Sequence, residues 1–285
     1  MKFSSLLAVT ALFELLSVSI ATAQSTDGEF KKAPPCSIAW SKWQSCDGYA
    51  WRAFDDNRYY VRNNTWGQSN PGAGRQCMWA RSQSCWGVKA EHANGTGIPK
   101  GYPQAVRGWV TGDGFKTENS GMGISVNDLT KAHVHWSTSA PDHGRYMALW
   151  DIYFHDRPNP AGSDLPHTSL MINQRIADDG YYAGIVANLP EVELDGQTFR
   201  LRKYKADWAS GNVIELFKTP VTGQLFGSED MSLDLKTVIF KLRDMGLIPA
   251  SDYLTSIQIG WEIIDGGVFQ TKSFWTALQN EPDPE

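Results

Sequence analysis

The sequence lacks the features that mark several large classes of protein. It contains no GxSxG, P-loop or GxGxxG motif, which argues against an α/β-hydrolase, a P-loop nucleotidase and a dinucleotide-binding fold. Charge of one sign is not in large excess: the net charge is -5 and the isoelectric point is near 5.7. We therefore expect no nucleic-acid partner and no membrane partner. Beyond the N-terminus, no apolar run is long enough to span a bilayer.

The N-terminus has the pattern of a secretory signal. Lys2 precedes an apolar stretch, and Ala21-Thr22-Ala23 has the form of a signal-peptidase site. We expect a signal peptide over 1–23, a flexible polar leader over 24–35 and one folded domain over 36–285. The predicted localisation is secreted and extracellular.

Cysteine is scarce, and all of it lies in one part of the chain. The four cysteines are Cys36, Cys46, Cys77 and Cys85. Their spacing has no CxxC pair or nearby histidine ligands, so a metal site is disfavoured. An even number of cysteines in an oxidising compartment favours two disulfides, and four cysteines allow three pairings.

What is abundant is aromatic and turn-forming residues, with 12 Trp, 26 Gly and 14 Pro among 285 residues. This composition favours many strands, many turns and an aromatic-lined surface. Strand-like runs recur along the chain. They cover 58–64, 105–112, 131–138, 146–154, 169–176, 199–205, 212–218 and 256–264. Asp195-Gly196 predicts a hairpin turn.

One segment, 232–246, has helical rather than strand periodicity. It places Leu235, Val238, Ile239, Leu242 and Met245 on one helical face. Ser232 is predicted to cap its start, and Gly246 is predicted to end it. We therefore predict an all-β sandwich or jelly roll of two antiparallel sheets with one helix packed outside.

The stretch "YLTSIQIGWEIIDGG" (253–267) carries a carboxylate inside an apolar, β-branched run. As a strand, it places Ile257, Ile259, Trp261 and Ile263 on one face. The opposite face is small and polar apart from one carboxylate, and comprises Ser256, Gln258, Gly260 and Glu262. The first face fits a core, and the second fits a water-filled groove.

Several blocks of the chain resemble glycoside hydrolase family 12, the small endo-β-1,4-glucanases and xyloglucanases. The resembling blocks are "CDGYA", "YYVRNNTWGQ", "RQC", "KGYPQ", "YMALWDIYF" and "SLDLKTVIFKLRDMGLIPASDYLTSIQIGWE". They run from about Cys46 to the C-terminus. The resemblance implies a β-jelly roll with a concave groove, a polysaccharide substrate, no cofactor and a monomer. It also implies a Cys46–Cys77 disulfide, which we predict together with Cys36–Cys85.

The resemblance assigns roles to single residues. Glu262 matches the general acid/base that protonates the leaving glycosidic oxygen. Asp151 matches a buried Asp beside the nucleophile. Trp66 is predicted to stack on a sugar ring, and Asn64 to hydrogen-bond in a subsite.

The nucleophile of the family is missing from its expected place. Leu170-Met171-Ile172 align with the nucleophile strand, but Ser169 stands at the Glu position and Asn173 at a Trp position. Ser169, Met171 and Asn173 share the groove face with Gln258, and all four are predicted to contact substrate. The later glutamates Glu191, Glu193 and Glu215 lie on segments where the family has no catalytic group.

Three hypotheses follow from the missing glutamate. In the first, which we favour, the protein hydrolyses a β-glucan with Glu262 as acid, and Asp151 assists by activating water. In the second, the groove binds carbohydrate without hydrolysis. In the third, the protein is a glycosidase or transglycosylase that acts on another glycan. Trp261 would then fill part of the altered sugar subsites, and Arg175 would tolerate an anionic sugar. For Arg175, however, a surface salt bridge is the favoured role.

Other chemistries find weaker support in the sequence. His133 and His135 share a strand face, but no third metal ligand is evident. Ser169 with His167 as base has no supporting motif. Asn63 and Asn94 begin glycosylation motifs, although Asn63 is expected to lie close to the groove.

Overall fold

The computed structural model describes residues 36–93, 97–110, 115–178, 181–220 and 225–284. The predicted signal peptide (1–23), the predicted leader (24–35) and the Asn94 motif lie outside these residues. No helix in the described part of the chain is long and apolar enough to cross a membrane.

β-Strand is the main regular secondary structure of the described residues. The strands in chain order are β1 (Trp43–Ser45), β2 (Trp51–Phe54), β3 (Tyr59–Arg62), β4 (Gln76–Ser82), β5 (Cys85–Ala90), β6 (Gln104–Val110), β7 (Phe115–Lys116), β8 (Ile124–Ser125), β9 (Ala132–Ser139), β10 (Tyr146–His155), β11 (Thr168–Ala177), β12 (Glu191–Leu194), β13 (Gln197–Tyr204), β14 (Asn212–Lys218), β15 (Leu225–Gly227), β16 (Asp230–Asp234), β17 (Tyr253–Ile263) and β18 (Gly267–Leu278). The helices are α1 (Tyr181–Val186) and α2 (Leu235–Asp244), with short 3-10 turns at Ile38–Trp40 and Val126–Asp128.

The strands form two sheets. The smaller sheet has the order β1-β4-β5-β18-β9-β16, and the larger has the order β12-β13-β14-β11-β10-β17-β6-β3-β2. Short strands β15, β7 and β8 pair with β11, β6 and β17. Neighbouring strands are antiparallel, except that β11 and β14 are parallel, with Met171 opposite Glu215. The predicted antiparallel β-sandwich is therefore confirmed, with this one parallel pair added.

The core lies between the two sheets, and strand alternation decides which side chains enter it. On β17, Ile257, Ile259, Trp261 and Ile263 are fully buried in this core, as predicted. Full burial of an aliphatic side chain contributes about 1.5 to 3 kcal/mol. Trp261 packs edge-on against Trp86, with 4.8 Å between ring centroids. Trp261 therefore belongs to the core and takes no part in reshaping the groove.

The strand predictions are confirmed: each of the eight predicted runs overlaps a strand of the structure. The Asp-Gly turn is also confirmed. Asp195 and Gly196 both have positive φ, 48° and 66°, which is the backbone of a type I′ hairpin turn. It joins β12 to β13, with Leu194 opposite Gln197.

The predicted helix begins later than expected. Ser232 belongs to β16, which pairs with β9, and the cap of α2 is Asp234, whose carboxylate accepts a hydrogen bond from Thr237 N at 3.3 Å. The prediction of Ser232 as cap was wrong because sheet pairing extends two residues further. Met245 is exposed rather than buried with the helix face. Gly246 follows the helix at φ 71°, as expected of a left-handed C-terminal residue.

Both predicted disulfides are confirmed, Cys36–Cys85 and Cys46–Cys77. The second ties the loop before β2 to β4. It therefore holds the loop that leads into β2 of the larger sheet. This loop lies next to the segment that bears Asn64 and Trp66, since Thr65 N donates to Gly48 O at 2.9 Å.

Candidate active site

A cavity of about 510 Å³ lies on the face of the larger sheet that points away from the core. We call this cavity the groove. Its lining residues come from β6, β10, β11, β13, β14, β17, α1 and adjoining loops. They are Tyr49, Asn64, Trp66, Tyr102, Gln104, Val110, Met147, Asp151, Tyr153, Met171, Tyr182, Arg202, Tyr204, Trp208, Glu215, Gln258 and Glu262. Three carboxylates, Asp151, Glu215 and Glu262, therefore face one cavity.

Glu262 reaches the groove because β17 alternates. Two residues earlier, Gly260 lets the neighbouring chain approach: a Cβ there would lie 2.3 Å from Pro103 O and 2.8 Å from the Tyr102 ring. Burial raises the pKa of the Glu262 carboxyl to about 8, and the negative charges of Glu215 and Asp151 add to this rise. At neutral pH this carboxyl therefore holds a proton that it can donate.

Asp151 lies on β10 and is held by two hydroxyl groups. Tyr153 Oη donates to one carboxylate oxygen at 2.7 Å, and Ser169 Oγ donates to the other at 3.0 Å. Burial raises the pKa of Asp151 to about 6, and the two hydrogen bonds oppose that rise. Asp151 is therefore mostly ionised at neutral pH, unlike Glu262.

Glu215 lies on β14, and the family resemblance predicted no catalytic role for it. Its Oε1 accepts a hydrogen bond from Asn173 Nδ2 at 3.0 Å, and its Oε2 accepts from Arg202 Nε at 2.8 Å and also from Arg202 Nη2. Arg202 stacks over the Tyr204 ring, 4.8 Å from its centroid. The carboxylate is thus fixed in place at the groove wall.

Tyr204 lies within the electrostatic reach of all three carboxylates. Burial raises the pKa of its phenol, and the negative charges of Glu215, Glu262 and Asp151 raise it further, while Arg202 opposes the rise. Tyr204 lines the same groove as the three carboxylates.

A row of amides crosses the groove between β3 and β17. Asn64 Nδ2 donates to Gln104 Oε1 at 3.0 Å, and Gln104 Nε2 donates to Gln258 Oε1 at 2.7 Å. Asn64 itself has φ 39°, a left-handed conformation that Asn tolerates better than most residues. Such fixed donors and acceptors suit a ligand rich in hydroxyl groups.

Aromatic side chains stand at both sides of the groove. Trp66 follows β3 and is 47% exposed, whereas Trp208 lies between β13 and β14 and is 40% exposed. In the larger sheet, β3 lies towards one end, whereas β13 and β14 lie towards the other. Sequence reasoning missed Trp208, because the loop "KADWASG" carries no motif that indicates its position.

Four of the residues predicted to bind substrate line the groove: Trp66, Asn64, Met171 and Gln258. Ser169 and Asn173 are buried instead and are absent from the groove lining, at 0% and 1% exposure. They contact the carboxylates of Asp151 and Glu215, so the structure places them behind the lining. Glu191 and Glu193, by contrast, are exposed on β12.

In the described residues, the histidines considered for a metal site or a serine nucleophile have other partners. His133 contacts Asp283 and His135 contacts Ser232, and no group of three potential metal ligands occurs in the described ranges. His167 pairs with Asp252 at 2.9 Å rather than with Ser169. 

Arg175 and Asn63 are both held by contacts within the protein. Arg175 pairs with Asp142 at 2.8 Å and with Glu229, which supports the salt-bridge role over contact with a sugar. The Asn63 side chain is buried and donates to Asp47 O and Gln76 O, at 2.9 and 3.1 Å. Its amide is therefore inaccessible for glycosylation in the folded chain.

Comparison with known sequences gives one partial match of note. No family model matches the chain. Endoglucanase S of Pectobacterium parmentieri is 34% identical over 121 residues, which is 42% of this chain and 45% of that protein. The match thus spans less than half the length of this curated relative.

Comparison with solved structures gives matches over most of the chain. A family 12 xyloglucanase from Bacillus licheniformis has a TM-score of 0.72 at 21% identity, covering 83% of this chain and 100% of that one. Endoglucanase cel12A from Rhodothermus marinus has a TM-score of 0.66 at 24% identity, covering 83% and 99%. The xyloglucanase domain of NopAA from Sinorhizobium fredii, in complex with cellobiose, has a TM-score of 0.65 at 18% identity, covering 84% and 100%. These matches confirm that the chain has the jelly-roll fold of the family 12 glycoside hydrolases.

Proposed function

We propose that this protein is a secreted glycoside hydrolase of the family 12 type that cleaves a β-glucan-type polysaccharide. The observation that carries the proposal is the position of Glu262, a carboxyl with a pKa of about 8 in a groove with two further carboxylates. A general acid must hold its proton at the working pH, and a raised pKa achieves this. The shared fold and the partial match to an endoglucanase support the substrate class.

The groove residues suit the steps of glycoside cleavage. A sugar ring stacks on Trp66, while the amides of Asn64 and Gln258 hydrogen-bond its hydroxyl groups. Glu262 donates its proton to the glycosidic oxygen as the bond to the anomeric carbon breaks. Asp151, which the sequence suggested as the group that activates water, is ionised at neutral pH, and we assign it instead to stabilising the positive charge that develops on the sugar ring.

A non-catalytic carbohydrate-binding protein is the second candidate. Ser169 favours it, because this residue replaces the glutamate expected of the family and its hydroxyl is engaged with Asp151. In this case the aromatic and amide residues would hold a glycan without cleaving it.

The test is to incubate the mature protein with xyloglucan, mixed-linkage β-glucan and cellulose, and to measure new reducing ends. Glu262→Gln, which keeps the shape of the side chain but cannot donate a carboxyl proton, is the control. Release by the wild type that disappears in Glu262→Gln supports the hydrolase. No release from any glycan, with retention on one of them that weakens in Trp66→Ala, supports the binding protein and contradicts the hydrolase.

A further inference from the structure

We propose that Glu215 is the general base of this site, and that the enzyme cleaves its substrate with inversion of configuration. This proposal rests on the proposed hydrolase function and deepens it. Glu215 would take the place of the carboxylate that is missing at Ser169, from the neighbouring strand.

Strand pairing places Glu215 beside the altered position. β14 runs parallel to β11, with Val213 opposite Ser169 and Glu215 opposite Met171. Paired residues on adjacent strands share a face of the sheet, so Glu215 faces the groove as Met171 does. The sequence offers no sign of this arrangement, because the pairing joins segments about forty residues apart.

The position of β14 also bears on the stereochemistry. Along the larger sheet, β14 lies one strand further from β17 than β11 does, and adjacent strands are about 4.8 Å apart. A retaining pair needs carboxyl groups about 5 to 5.5 Å apart, whereas an inverting pair needs about 6.5 to 9.5 Å, with room for a water molecule. Glu215 also lies two residues further along β14 than Val213, the residue that pairs with Ser169. The second carboxylate therefore stands at a different place in the groove from the nucleophile of the family, and we assign it the wider, inverting arrangement.

The charge environment separates the roles of Glu215 and Glu262. Arg202 and Asn173 bind the Glu215 carboxylate, and a guanidinium partner compensates its negative charge. No hydrogen bond or ion pair holds the Glu262 carboxyl among the residues that the structure describes. The charge of Glu215 contributes more than that of Asp151 to raising the pKa of Glu262, so the two groups interact across the groove.

The resulting reaction balances in a single displacement. Glu215 takes one proton from a water molecule, and the water oxygen forms a bond to the anomeric carbon from the face opposite the leaving group. The glycosidic C–O bond breaks, its electron pair stays on the leaving oxygen, and Glu262 supplies the proton to that oxygen. The products are a hemiacetal of inverted configuration and a free sugar hydroxyl.

The test compares Glu215→Gln, Glu215→Ala and the matched control Glu193→Gln, a glutamate exposed on β12, on whichever glycan the wild type cleaves. We expect the rate to fall by about 10³-fold in Glu215→Gln and to stay at the wild-type value in Glu193→Gln. Sodium azide attacks carbon without losing a proton, so it should restore part of the rate in Glu215→Ala and yield an α-glycosyl azide. A purely structural role in pairing with Arg202 would give no azide rescue.

The stereochemical arm uses proton NMR during the first turnovers of the wild type. The α-anomer appearing first supports inversion, and the β-anomer appearing first overturns it. Wild-type cleavage that survives in Glu215→Gln overturns the role of Glu215 and leaves the proposed function standing. Absence of cleavage by the wild type overturns the hydrolase function and, with it, the role of Glu215. Loss of cleavage in Glu215→Ala without rescue by azide overturns the role of Glu215 alone.

Discussion

Replacing Glu262 by Gln should stabilise the fold, and more so as the pH rises. The folded protein holds the Glu262 proton up to about pH 8, whereas the unfolded chain loses it near the ordinary value of 4.5. Between these values the folded state binds more protons than the unfolded state, so stability falls as the pH rises. Gln cannot ionise, so the variant escapes this loss.

The size of the effect follows from the two pKa values. Each pH unit between them corresponds to about 1.4 kcal/mol, which gives an upper limit of about 4 kcal/mol at pH 8. The Glu262 side chain is partly exposed to the groove, so solvent screening reduces this limit. We expect Glu262→Gln to raise the free energy of unfolding by roughly 2 kcal/mol more at pH 8 than at pH 5.

Guanidinium unfolding followed by tryptophan fluorescence, at both pH values, measures this difference directly. Glu193→Gln is the control for removing a carboxylate from the surface. If Glu262→Gln and the wild type show the same pH dependence of stability, Glu262 titrates like an ordinary glutamate, and the reasoning that makes it the acid is refuted.

Three further predictions concern activity, binding and the disulfides. Because Glu262 must be protonated to act, kcat/KM should fall as the pH rises through about 8, and a pH–rate profile that stays flat to pH 9 would contradict this. Trp66→Ala should weaken glycan binding about tenfold by calorimetry, through loss of about 1.4 kcal/mol of stacking, whereas the buried core substitution Trp261→Phe should leave the affinity unchanged. Reducing Cys36–Cys85 and Cys46–Cys77, which span 49 and 31 residues, should cost about 4 kcal/mol each in the chain-entropy model; an unchanged Tm in dithiothreitol would contradict it.

Local sequence patterns predicted the parts of the fold that depend on local physics. Alternation on β17 separated Ile257 and Trp261 from Gln258 and Glu262, because successive side chains of a strand point to opposite faces. The Asp-Gly turn was visible because few residues tolerate positive φ at two successive positions.

The predictions failed where distant pairing overrides local preference. Ser232 has the chemistry of a helix cap, but its segment pairs with β9 and remains a strand. Glu215 sits in "NVIEL", on a segment where the resembled family has no catalytic group. Its carboxylate reaches the groove because β14 pairs with β11. The next strand in the sheet, β13, places Arg202 opposite Glu215.

The most direct test of the hydrolase is to digest xyloglucan in water enriched in ¹⁸O and to analyse the products by mass spectrometry. We predict one ¹⁸O atom at each new reducing end with the wild type, and no new ends with Glu262→Gln. New ends at equal rates in both proteins, or bound glycan that is never cleaved, would contradict the claim that Glu262 drives hydrolysis in this groove.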